Sequence, residues 1–395
     1  MINKFIVISG VGSISALGCS YDEIYNNYLN NKHFLSLENI NDNKYFIGKL
    51  NLNSENAINS FLSKKSEFKK YDRTAHLALI ASENAINNAK WNNENPIGVS
   101  IGSSRGATNL LENYHKIFIE KGNVPVPSSP LTTLGSISSV IASNLNINGY
   151  FSEHSVTCST SFNTIANAIA WIKAGMANRF LAGGSEAPLT NFTIAQMEAL
   201  GIYSKDFEND FPCRPFDTID SNKNRFVLGE GAIVFAIEGI EPDLLKKGMI
   251  VIESIGYSYE KPPSPTGISI DGGLIEKSMR MALDNMITKD DIDLIICHAP
   301  GTSKGDMAEE IAIKNIFGNN IPIVTSNKWK IGHTFASSGG FSIEQAILAM
   351  QNPEITKMPF ETRLKNFENK KISKVLINAT GFGGNASSII ISIVK

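Results

Sequence analysis

The chain has 395 residues, 42% of them hydrophobic and 19% charged, with a formal net charge of −2. This length predicts two domains or one large duplicated domain, and the near-neutral charge without a long basic run argues against nucleic-acid binding. Gly10 and Gly12 interrupt the apolar N-terminus, which favours a strand over a signal peptide, and no apolar run is long enough for a membrane span. The four cysteines lack CxxC spacing, which argues against a disulfide framework or a zinc site and fits a reducing cytoplasm.

In the first half, apolar runs and helical periodicity predict alternating strands and helices. The polar stretch Leu35–Ser66 is expected to be an irregular surface excursion. The other predicted elements are strand Ile6–Ser9, a helix from Tyr21, helix Asp72–Asn88, strand Ile97–Ile101, turn Gly102–Gly106, and helices Leu110–Lys121, Leu134–Asn144 and Asn191–Leu200, followed by strand Ala232–Glu238.

A boundary is predicted near Pro242–Gly248, which divides the chain into halves 1–245 and 246–395. The second half repeats the rhythm of the first and predicts a duplicated α/β fold with buried, mainly parallel strands, although no sequence self-similarity is obvious. Its predicted elements are strand Ile250–Tyr257, a proline-rich loop at 262–265, helix Gly273–Met286, strand Leu294–Cys297, helix Asp306–Phe317, strand Val324–Ser326, helix Gly340–Met350, and strands Val375–Ala379 and Ser387–Val394.

The stretch His154–Glu186 is predicted to form a strand, a tight turn, a helix and a second strand, with Cys158 at the turn. Backbone N–H groups and the dipole at a helix start favour an anion, so a thiolate is expected to be accessible there near neutral pH. Cysteine is also a common small core residue. From this stretch alone, a nucleophile and a core thiol remain open alternatives.

Two histidines of the second half stand out. His298 ends a predicted strand, and His333 follows Lys328 in a loop of small residues ahead of a helix. The carboxyl ends of strands are where open α/β sheets gather catalytic groups, and a thiolate with two imidazoles and a lysine would make a covalent acyl-transfer site. The alternative is that each histidine merely satisfies local backbone groups.

Motifs along nearly the whole chain resemble those of the β-ketoacyl-acyl carrier protein synthases, which are decarboxylating condensing enzymes of the thiolase-like superfamily. Two spacings also match that family, from His298 to Asp306 and from Lys328 to His333. The matching segments are ValIleSerGlyValGly at 7–12, ValThrCysSerThrSer at 156–161, AlaGlyGlySerGluAlaPro at 182–188, ArgProPheAsp at 214–217 with GlyGluGly at 229–231, and GlyPheGlyGly at 381–384.

The resemblance implies a thiolase-like duplicated, five-layered αβαβα fold with mixed sheets. It implies that Cys158 takes the acyl chain and that His298 and His333 bind the malonyl thioester carbonyl and promote loss of CO2. Lys328 would set the electrostatics around these imidazoles. The backbone N–H groups of Cys158 and Phe382 would form an oxyanion hole, and Phe382 would also gate the acyl pocket.

The resemblance further implies substrate contacts at Thr302, Phe226 and Gly381. Asp306 and Glu309 either fix the loop that carries His298 or help to bind a structural cation, and the sequence does not separate these roles. No catalytic metal or redox cofactor is expected, because the substrates are carried on the phosphopantetheine of acyl carrier protein. A homodimer is expected, and a heterodimer with a ketosynthase-like subunit is the alternative.

Two other functions remain to be weighed. A non-catalytic partner similar to a chain-length factor would typically lack the nucleophilic cysteine, whereas this chain has Cys158. A thiolase would carry a second cysteine in the C-terminal glycine turn, where this chain has Phe382. The leading expectation is therefore a 3-ketoacyl synthase of fatty-acid or polyketide and pigment biosynthesis.

The chain also departs from the family pattern. After His298 it has Ala-Pro-Gly-Thr where most of these synthases have Gly-Thr-Ser-Thr. Ser342 stands where the family usually has a glutamate, with Glu344 two residues later, which leaves open what supports Lys328. The HisAlaProGlyThr segment at 298–302 and the AsnLysTrpLysIleGlyHis segment at 327–333 resemble those of the synthases of aryl-polyene or dialkylresorcinol pigment pathways.

Overall fold

The protein is represented by a computed structural model that describes residues 4–40, 42–92, 96–262, 264, 267, 269–283 and 286–395. The strands in this part of the chain are β1 (Phe5–Ile14), β2 (Ser36–Ile40), β3 (Asn43–Gly48), β4 (Ile97–Gly102), β5 (Phe151–Ser152), β6 (Arg179–Glu186), β7 (Leu228–Gly229), β8 (Gly231–Ile240), β9 (Ile250–Tyr259), β10 (Leu294–Ile296), β11 (Ile323–Thr325), β12 (Lys374–Gly381) and β13 (Asn385–Ile393). The α-helices are α1 (Tyr21–Leu29), α2 (Leu52–Lys64), α3 (Arg73–Ala89), α4 (Thr108–Lys121), α5 (Ser128–Thr132), α6 (Ser136–Asn144), α7 (Thr160–Lys173), α8 (Asn191–Ala199), α9 (Gly273–Ala282), α10 (Ser303–Phe317), α11 (Lys328–Ile331) and α12 (Ser338–Gln351).

Within the described ranges, ten strands form one mixed sheet in the order β11-β10-β12-β13-β9-β1-β8-β6-β4-β5. The first half contributes β5-β4-β6-β8-β1 and the second half β11-β10-β12-β13-β9, so the two halves have the same strand order. In each half the first three strands pair in parallel and the last two pairings are antiparallel. This repeat confirms the predicted duplicated fold with mixed sheets. The expectation of mainly parallel strands is wrong, because β8 and β13 each run against both neighbours.

Helices lie on both faces of each half-sheet. On the outer faces, α3 and α6 share an apolar cluster with the first half-sheet, and α9 and α10 share another with the second. Between the half-sheets lie α7 and α12, which bury an apolar cluster drawn from both halves. Ile165, Ile169 and Ile172 line one side of α7 at the spacing of an amphipathic helix. The resulting order is the five-layered αβαβα arrangement.

The two half-sheets meet where β1 pairs with β9, at Val7 with Val251 and Ile8 with Ile250. The chain passes from one half to the other between Ile240 and Ile250, and the predicted division at 245/246 falls inside this connection. None of the helices in the described ranges is both long and apolar enough to cross a membrane.

The prediction of an irregular excursion over Leu35–Ser66 is wrong. Strands β2 and β3 form an antiparallel hairpin, which extends to β7 as a small three-stranded sheet, and α2 follows. Tyr45 and Ile47 alternate along β3 and are buried, while Asn51 caps α2 by accepting a hydrogen bond from the Ser54 N–H at 2.9 Å. The alternation in β3 and the cap of α2 each involve only a few residues in a mostly polar segment, so composition alone does not indicate them.

Smaller differences concern element ends. The helix predicted from Leu134 begins at Ser136, and the proline-containing segment before it holds the short helix α5. The helix predicted to reach Met286 ends at Ala282, and positions 284 and 285 lie outside the described residues. Of the predicted proline-rich loop at 262–265, only residues 262 and 264 are described.

Candidate active site

Cys158 lies in a 3₁₀ turn, Thr157–Ser159, immediately before α7. Thr157 has a φ of 48°, in the left-handed region that β-branched residues avoid. Thr160 holds the turn, because its hydroxyl accepts the N–H of Val156 at 2.9 Å and donates to the carbonyl of Thr157 at 2.7 Å. Thr157 is therefore held in a strained backbone conformation, which places the Cys158 thiol at the start of a buried helix.

The C-terminal glycine turn lies against the Cys158 turn. The hydroxyl of Thr157 donates to the carbonyl of Phe382 at 3.2 Å. A side chain at Gly381 would place its Cβ 2.0 Å from the Thr157 hydroxyl, so only glycine fits there. Asn385, for which no role is predicted from sequence, links the turns by accepting a hydrogen bond from the Ser159 hydroxyl and donating one to the Phe382 carbonyl at 3.0 Å. The structure therefore brings Gly381 and Phe382 next to Cys158.

The two histidines face each other at the centre of the molecule. His298 follows β10 and His333 follows α11, and their Nε2 atoms are 3.4 Å apart. Nδ1 of His333 accepts the N–H of Phe335 at 2.9 Å, so the proton of a neutral His333 ring is on Nε2. That Nε2–H faces the Nε2 of His298, which then acts as an acceptor. The pair thus presents one donor and one acceptor.

Burial keeps both imidazoles neutral near pH 7. It lowers the pKa of His298 to about 3, and the charge of Lys328 acts in the same direction. Burial also lowers the pKa of His333 well below its usual value, with His298 and Lys328 adding to the effect. The pKa of buried Lys328 is lowered to about 8, because desolvation outweighs the attraction of Glu309. At pH 7 the site combines two neutral imidazoles with a lysine that is mostly protonated.

No glutamate of α12 contacts the Lys328 ammonium in the described residues, and its partners come from other elements. Its Nζ donates to Asn327 Oδ1 at 2.9 Å. Ser342, at the position of the expected glutamate, donates its hydroxyl to the carbonyl of Ser338 at 3.3 Å. Glu344 instead accepts a hydrogen bond from Ser13 on β1. The strongest carboxylate influence on Lys328 comes from Glu309 on α10.

Glu309 holds the backbone at His298. One of its oxygens accepts the N–H of His298 at 3.0 Å and the other accepts the N–H of Ala299 at 2.8 Å. Asp306 accepts the N–H groups of Gly301 at 3.1 Å and Thr302 at 3.2 Å. Both carboxylates thus contact the loop that leads from His298 to Thr302. In the part of the chain that the structure describes, no cluster of three or more His, Cys, Asp or Glu could hold a metal ion.

An apolar cluster surrounds the sulfur. The ring of Phe226 lies 5.4 Å from that of His333, centroid to centroid, and both Phe226 and Phe335 pack in the same cluster as Cys158. The buried members of this cluster are Tyr45, Ile47, Cys158, Ile194, Met197, Tyr203, Phe226, Leu228 and Phe335.

Comparison with known families identifies the chain. The description "Beta-ketoacyl synthase, N-terminal domain" matches residues 4–240, and "Beta-ketoacyl synthase, C-terminal domain" matches residues 250–359. The chain belongs to the β-ketoacyl synthase family. This confirms the family that the motifs predicted, whereas the pigment-pathway type stays a prediction.

Individual relatives agree with this membership. The 3-oxoacyl-[acyl-carrier-protein] synthase 2 of Staphylococcus aureus (strain COL) is 29% identical over 419 aligned residues, which cover 98% of each chain. The structure of the ketosynthase ApeO in complex with its chain length factor ApeC from Xenorhabdus doucetiae matches with a TM-score of 0.77 and 21% identity, over 99% of this chain and 98% of that one. A complex named AntDE:AntF, a type II PKS acyl-carrier protein with its ketosynthase bound to the hexaketide, matches with a TM-score of 0.80 and 21% identity, over 99% and 100% of the two chains. The two solved structures show that the fold is shared.

In this member of the β-ketoacyl synthase family, the pKa of the Cys158 thiol is shifted opposite to the expectation from the helix start. Burial raises it to about 12, and the carboxylate of Glu186 raises it further, while Lys328 and Arg105 act against the shift. Desolvation of the thiolate outweighs the favourable position at the helix. The resting side chain of Cys158 is therefore a protonated thiol.

Glu186, in contact with the loops around Cys158, has no place among the residues predicted from sequence. It is fully buried at the end of β6, where it accepts the N–H groups of Ser104 at 2.9 Å, Arg105 at 3.1 Å and Ala336 at 3.2 Å. Glu186 thus joins loops of the two halves beside Cys158. Its position could have indicated a role, because Glu186 is a charged residue at the end of β6, an otherwise uncharged buried strand end that follows α7.

Proposed function

We propose that the protein condenses an acyl group carried on Cys158 with malonyl-[acyl-carrier-protein], releasing CO2 and forming a 3-ketoacyl thioester. The observation that carries this proposal is the convergence of Cys158 with two neutral, touching imidazoles and the buried Lys328. Family membership supports the same activity.

Acyl transfer to Cys158 comes first. The sulfur attacks the thioester carbonyl, the new S–C bond forms, and the phosphopantetheine thiol of the carrier leaves with a proton. Because burial keeps Cys158 protonated, a base must accept its proton as the bond forms, and a neutral imidazole with a free lone pair is suited to this. The N–H groups of Cys158 and Phe382 would stabilise the oxyanion, at about 3 kcal/mol per donor.

Decarboxylation and condensation follow. The malonyl thioester carbonyl enters between the imidazoles and accepts the Nε2–H of His333, and His298 donates from its other tautomer. The bond to the carboxylate breaks, CO2 leaves, and the electron pair forms an enolate that these donors and the charge of Lys328 stabilise. The enolate carbon then attacks the acyl carbonyl, and the Cys158 sulfur leaves. No step is a redox reaction, so no resident cofactor is expected.

Acyl carrier protein is the inferred partner, and a second subunit is inferred from the surface. Strand β5 ends the sheet, and its outer edge is unpaired among the described residues. The neighbouring helices from α4 to α6 expose several apolar side chains, including Leu111, Phe118 and Ile119. An unpaired edge beside exposed apolar side chains favours association. We infer a cytoplasmic homodimer of chains built from halves 1–245 and 246–395, with a ketosynthase-like partner as the alternative.

Both other functions are disfavoured by particular residues. A non-catalytic chain-length-factor-like subunit would have no use for Cys158, His298 and His333 in one buried cluster. A thiolase would need a thiol base in the C-terminal turn, where Phe382 stands.

The test uses the purified protein with acyl- and malonyl-carrier protein. We expect CO2 release, a 3-ketoacyl product, and a mass increase of one acyl group that maps to Cys158. Cys158→Ala is the control and should show neither the adduct nor the product. If the wild-type protein forms no adduct alone or with any ketosynthase partner, the condensing function is wrong.

A further inference from the structure

Arg105, like Asn385 and Glu186, has no role predicted from sequence. It lies in the loop after β4, which is the strand next to the outer edge of the first half-sheet. The strand in the same place in the second half is β10, and the loop after β10 carries His298. The duplicated topology therefore brings Arg105 to the same side of the molecule as the catalytic loops.

The side chain of Arg105 is directed to the walls of the Cys158 cluster. Its Nη1 donates to Gln196 Oε1 on α8 at 2.7 Å, and Cζ lies 5.2 Å from the ring centroid of Phe335. In the described part of the chain, neither Nε nor Nη2 has a hydrogen-bond acceptor and no carboxylate pairs with the guanidinium. Its charge nevertheless interacts with Glu186 most strongly, and with Cys158 and Glu112 as well.

A half-buried guanidinium beside an apolar cluster is costly unless its donors find acceptors, because it stays charged at all physiological pH values. Nε and Nη2 together form one side of the planar fork that binds oxygen acceptors in pairs. In Arg105 this side is available, since Gln196 occupies Nη1. An acceptor oxygen on the substrate would provide the hydrogen-bond partner that Nε and Nη2 of Arg105 lack among the described residues.

The space beyond the cluster is polar as well. A cavity of about 600 Å³ lies against this cluster. It is lined by Ile47, a buried member of the cluster, and by Ile40 and Leu189, which are partly buried and pack against it. Its other walls are mostly charged or amide side chains, among them Glu38, Lys49, Arg73, Glu112 and Glu230. A saturated alkyl chain extending into this cavity would lie against charged groups, whereas an oxygenated chain would find partners.

We propose that Arg105 is a specificity-determining residue that binds an acceptor oxygen of the acyl chain on Cys158, so that the enzyme prefers oxygen-bearing acyl groups over plain alkyl groups. The proposal rests on the condensing function proposed above and names the substrate class of that site. The apolar cluster receives the carbons next to the sulfur, Arg105 binds the oxygen, and the polar cavity holds the remainder of the chain.

The test measures the rate constant for acylation of Cys158 by intact mass, with carrier-bound octanoyl, 3-oxooctanoyl, 5-oxooctanoyl and suberyl groups. Wild-type protein should load at least one oxygen-bearing donor faster than octanoyl. Arg105→Met should slow that donor by about tenfold or more beyond any slowing of octanoyl, the scale of one charge-assisted hydrogen bond. Octanoyl loading should slow only slightly, because loss of the Arg105 charge raises the pKa of the Cys158 thiol for every donor alike. Arg105→Lys should retain part of the preference. Arg280→Met is the matched control, because Arg280 is exposed on α9 on the outer face of the other half.

The outcomes separate the two proposals. Faster loading of octanoyl than of every oxygen-bearing donor by the wild-type protein would overturn the role of Arg105 but not the condensing function. Equal slowing of all donors in Arg105→Met would also overturn it, since a purely structural residue behaves that way. If that variant does not fold, Gln196→Leu removes the Nη1 partner and should weaken the preference in the same direction. If no donor loads wild-type Cys158, the condensing function fails and this proposal falls with it.

Discussion

The two halves of the molecule contain the same turn with different chemistry. In the first half, the 3₁₀ turn Thr157–Ser159 precedes α7, and in the second, Phe335–Ser337 precedes α12. Each turn begins with a residue of positive φ, 48° at Thr157 and 44° at Phe335, and each leads into a helix of 14 residues. The middle residue is Cys158 in one turn and Ala336 in the other.

The difference shows how a duplicated backbone supports one reaction. Cys158 presents its thiol to the apolar cluster, whereas Ala336 uses only its backbone N–H, which donates to Glu186 across the two halves. A non-glycine residue at positive φ costs about 1 kcal/mol or more and persists only where its surroundings enforce it. The second turn therefore serves as a fixed support that positions His333 and Phe335, and the first carries the thiol that we propose as the nucleophile.

The largest expected effect tests whether the thiol must be in the first turn. Cys158→Ala should lower the condensation rate by a factor of about 10⁴ or more, as loss of a nucleophile does in other covalent enzymes. Adding Ala336→Cys to that variant should restore nothing, because the second turn does not face the acyl cluster. Product formation and intact mass check both variants. Acylation of the new cysteine would show that the two turns are interchangeable.

The next test concerns the donor in the second half. His333→Ala should reduce decarboxylation by about 10² to 10⁴-fold, because the Nε2–H that stabilises the enolate is lost, while acylation of Cys158 is largely retained. Release of CO2 from malonyl-carrier protein and single-turnover acylation separate the two steps. His76→Ala serves as the control, since this part-buried histidine contacts the Phe68 carbonyl far from the site. An equal loss of both steps would contradict the division of roles between the halves.

Much of this comparison could be predicted from local sequence. The alternation of elements, the turn at Cys158, the strand end before His298 and the loop that carries His333 depend on neighbouring residues, and the structure has each of them. The strand predicted from His154 is wrong, because residues 153–156 are irregular and β5 ends at Ser152. The duplication itself could be inferred only from rhythm, because strand order is a property of pairings between distant segments.

What escaped prediction depends on long-range contacts. Arg105 looks like an ordinary turn residue, since Cys158 lies more than fifty positions further along the chain. Glu186 looks like the end of a strand until the loops of both halves are seen to donate to it. The hairpin β2–β3 is short and polar, and it is stabilised by packing of Tyr45 and Ile47 against the cluster rather than by its own composition.

Lys328 offers a smaller test, in which stability and activity change in opposite directions. Its pKa in the folded protein is about 8, below the ordinary value of 10.5, so the unfolded chain binds the proton more tightly and stability rises with pH between these values. Lys328→Met should therefore raise the melting temperature at pH 7 by about one degree, roughly what 1 kcal/mol gives in a chain of this size. Condensation should fall by about tenfold or more, and the wild-type rate should decline above about pH 8 as the charge is lost.

Lys328→Arg is the matched control for that test. Arginine stays protonated above pH 8, so any activity this variant retains should lack the alkaline decline. Melting temperatures and pH–rate profiles check all three proteins. A wild-type profile that is flat from pH 7 to pH 9.5 would show that the charge of Lys328 has no part in the rate-limiting step.

The smallest expected effect concerns Glu186, which links the loop after β4 to the second turn and acts on Cys158 through its charge. Its carboxylate raises the pKa of Cys158, so Glu186→Gln should lower that pKa and speed alkylation by iodoacetamide at pH 8.5 by several-fold, since a shift of half a pKa unit changes the thiolate fraction by about threefold. The amide accepts through one oxygen only, so the free energy of unfolding should fall by about 1 to 3 kcal/mol. Glu153→Gln is the control, because burial raises the pKa of Glu153 to about 8 but its charge is not among the main influences on Cys158. Coincident alkylation profiles for Glu186→Gln and wild type would mean that Glu186 only supports the turns, and the reactivity of Cys158 would then be set within the first half alone.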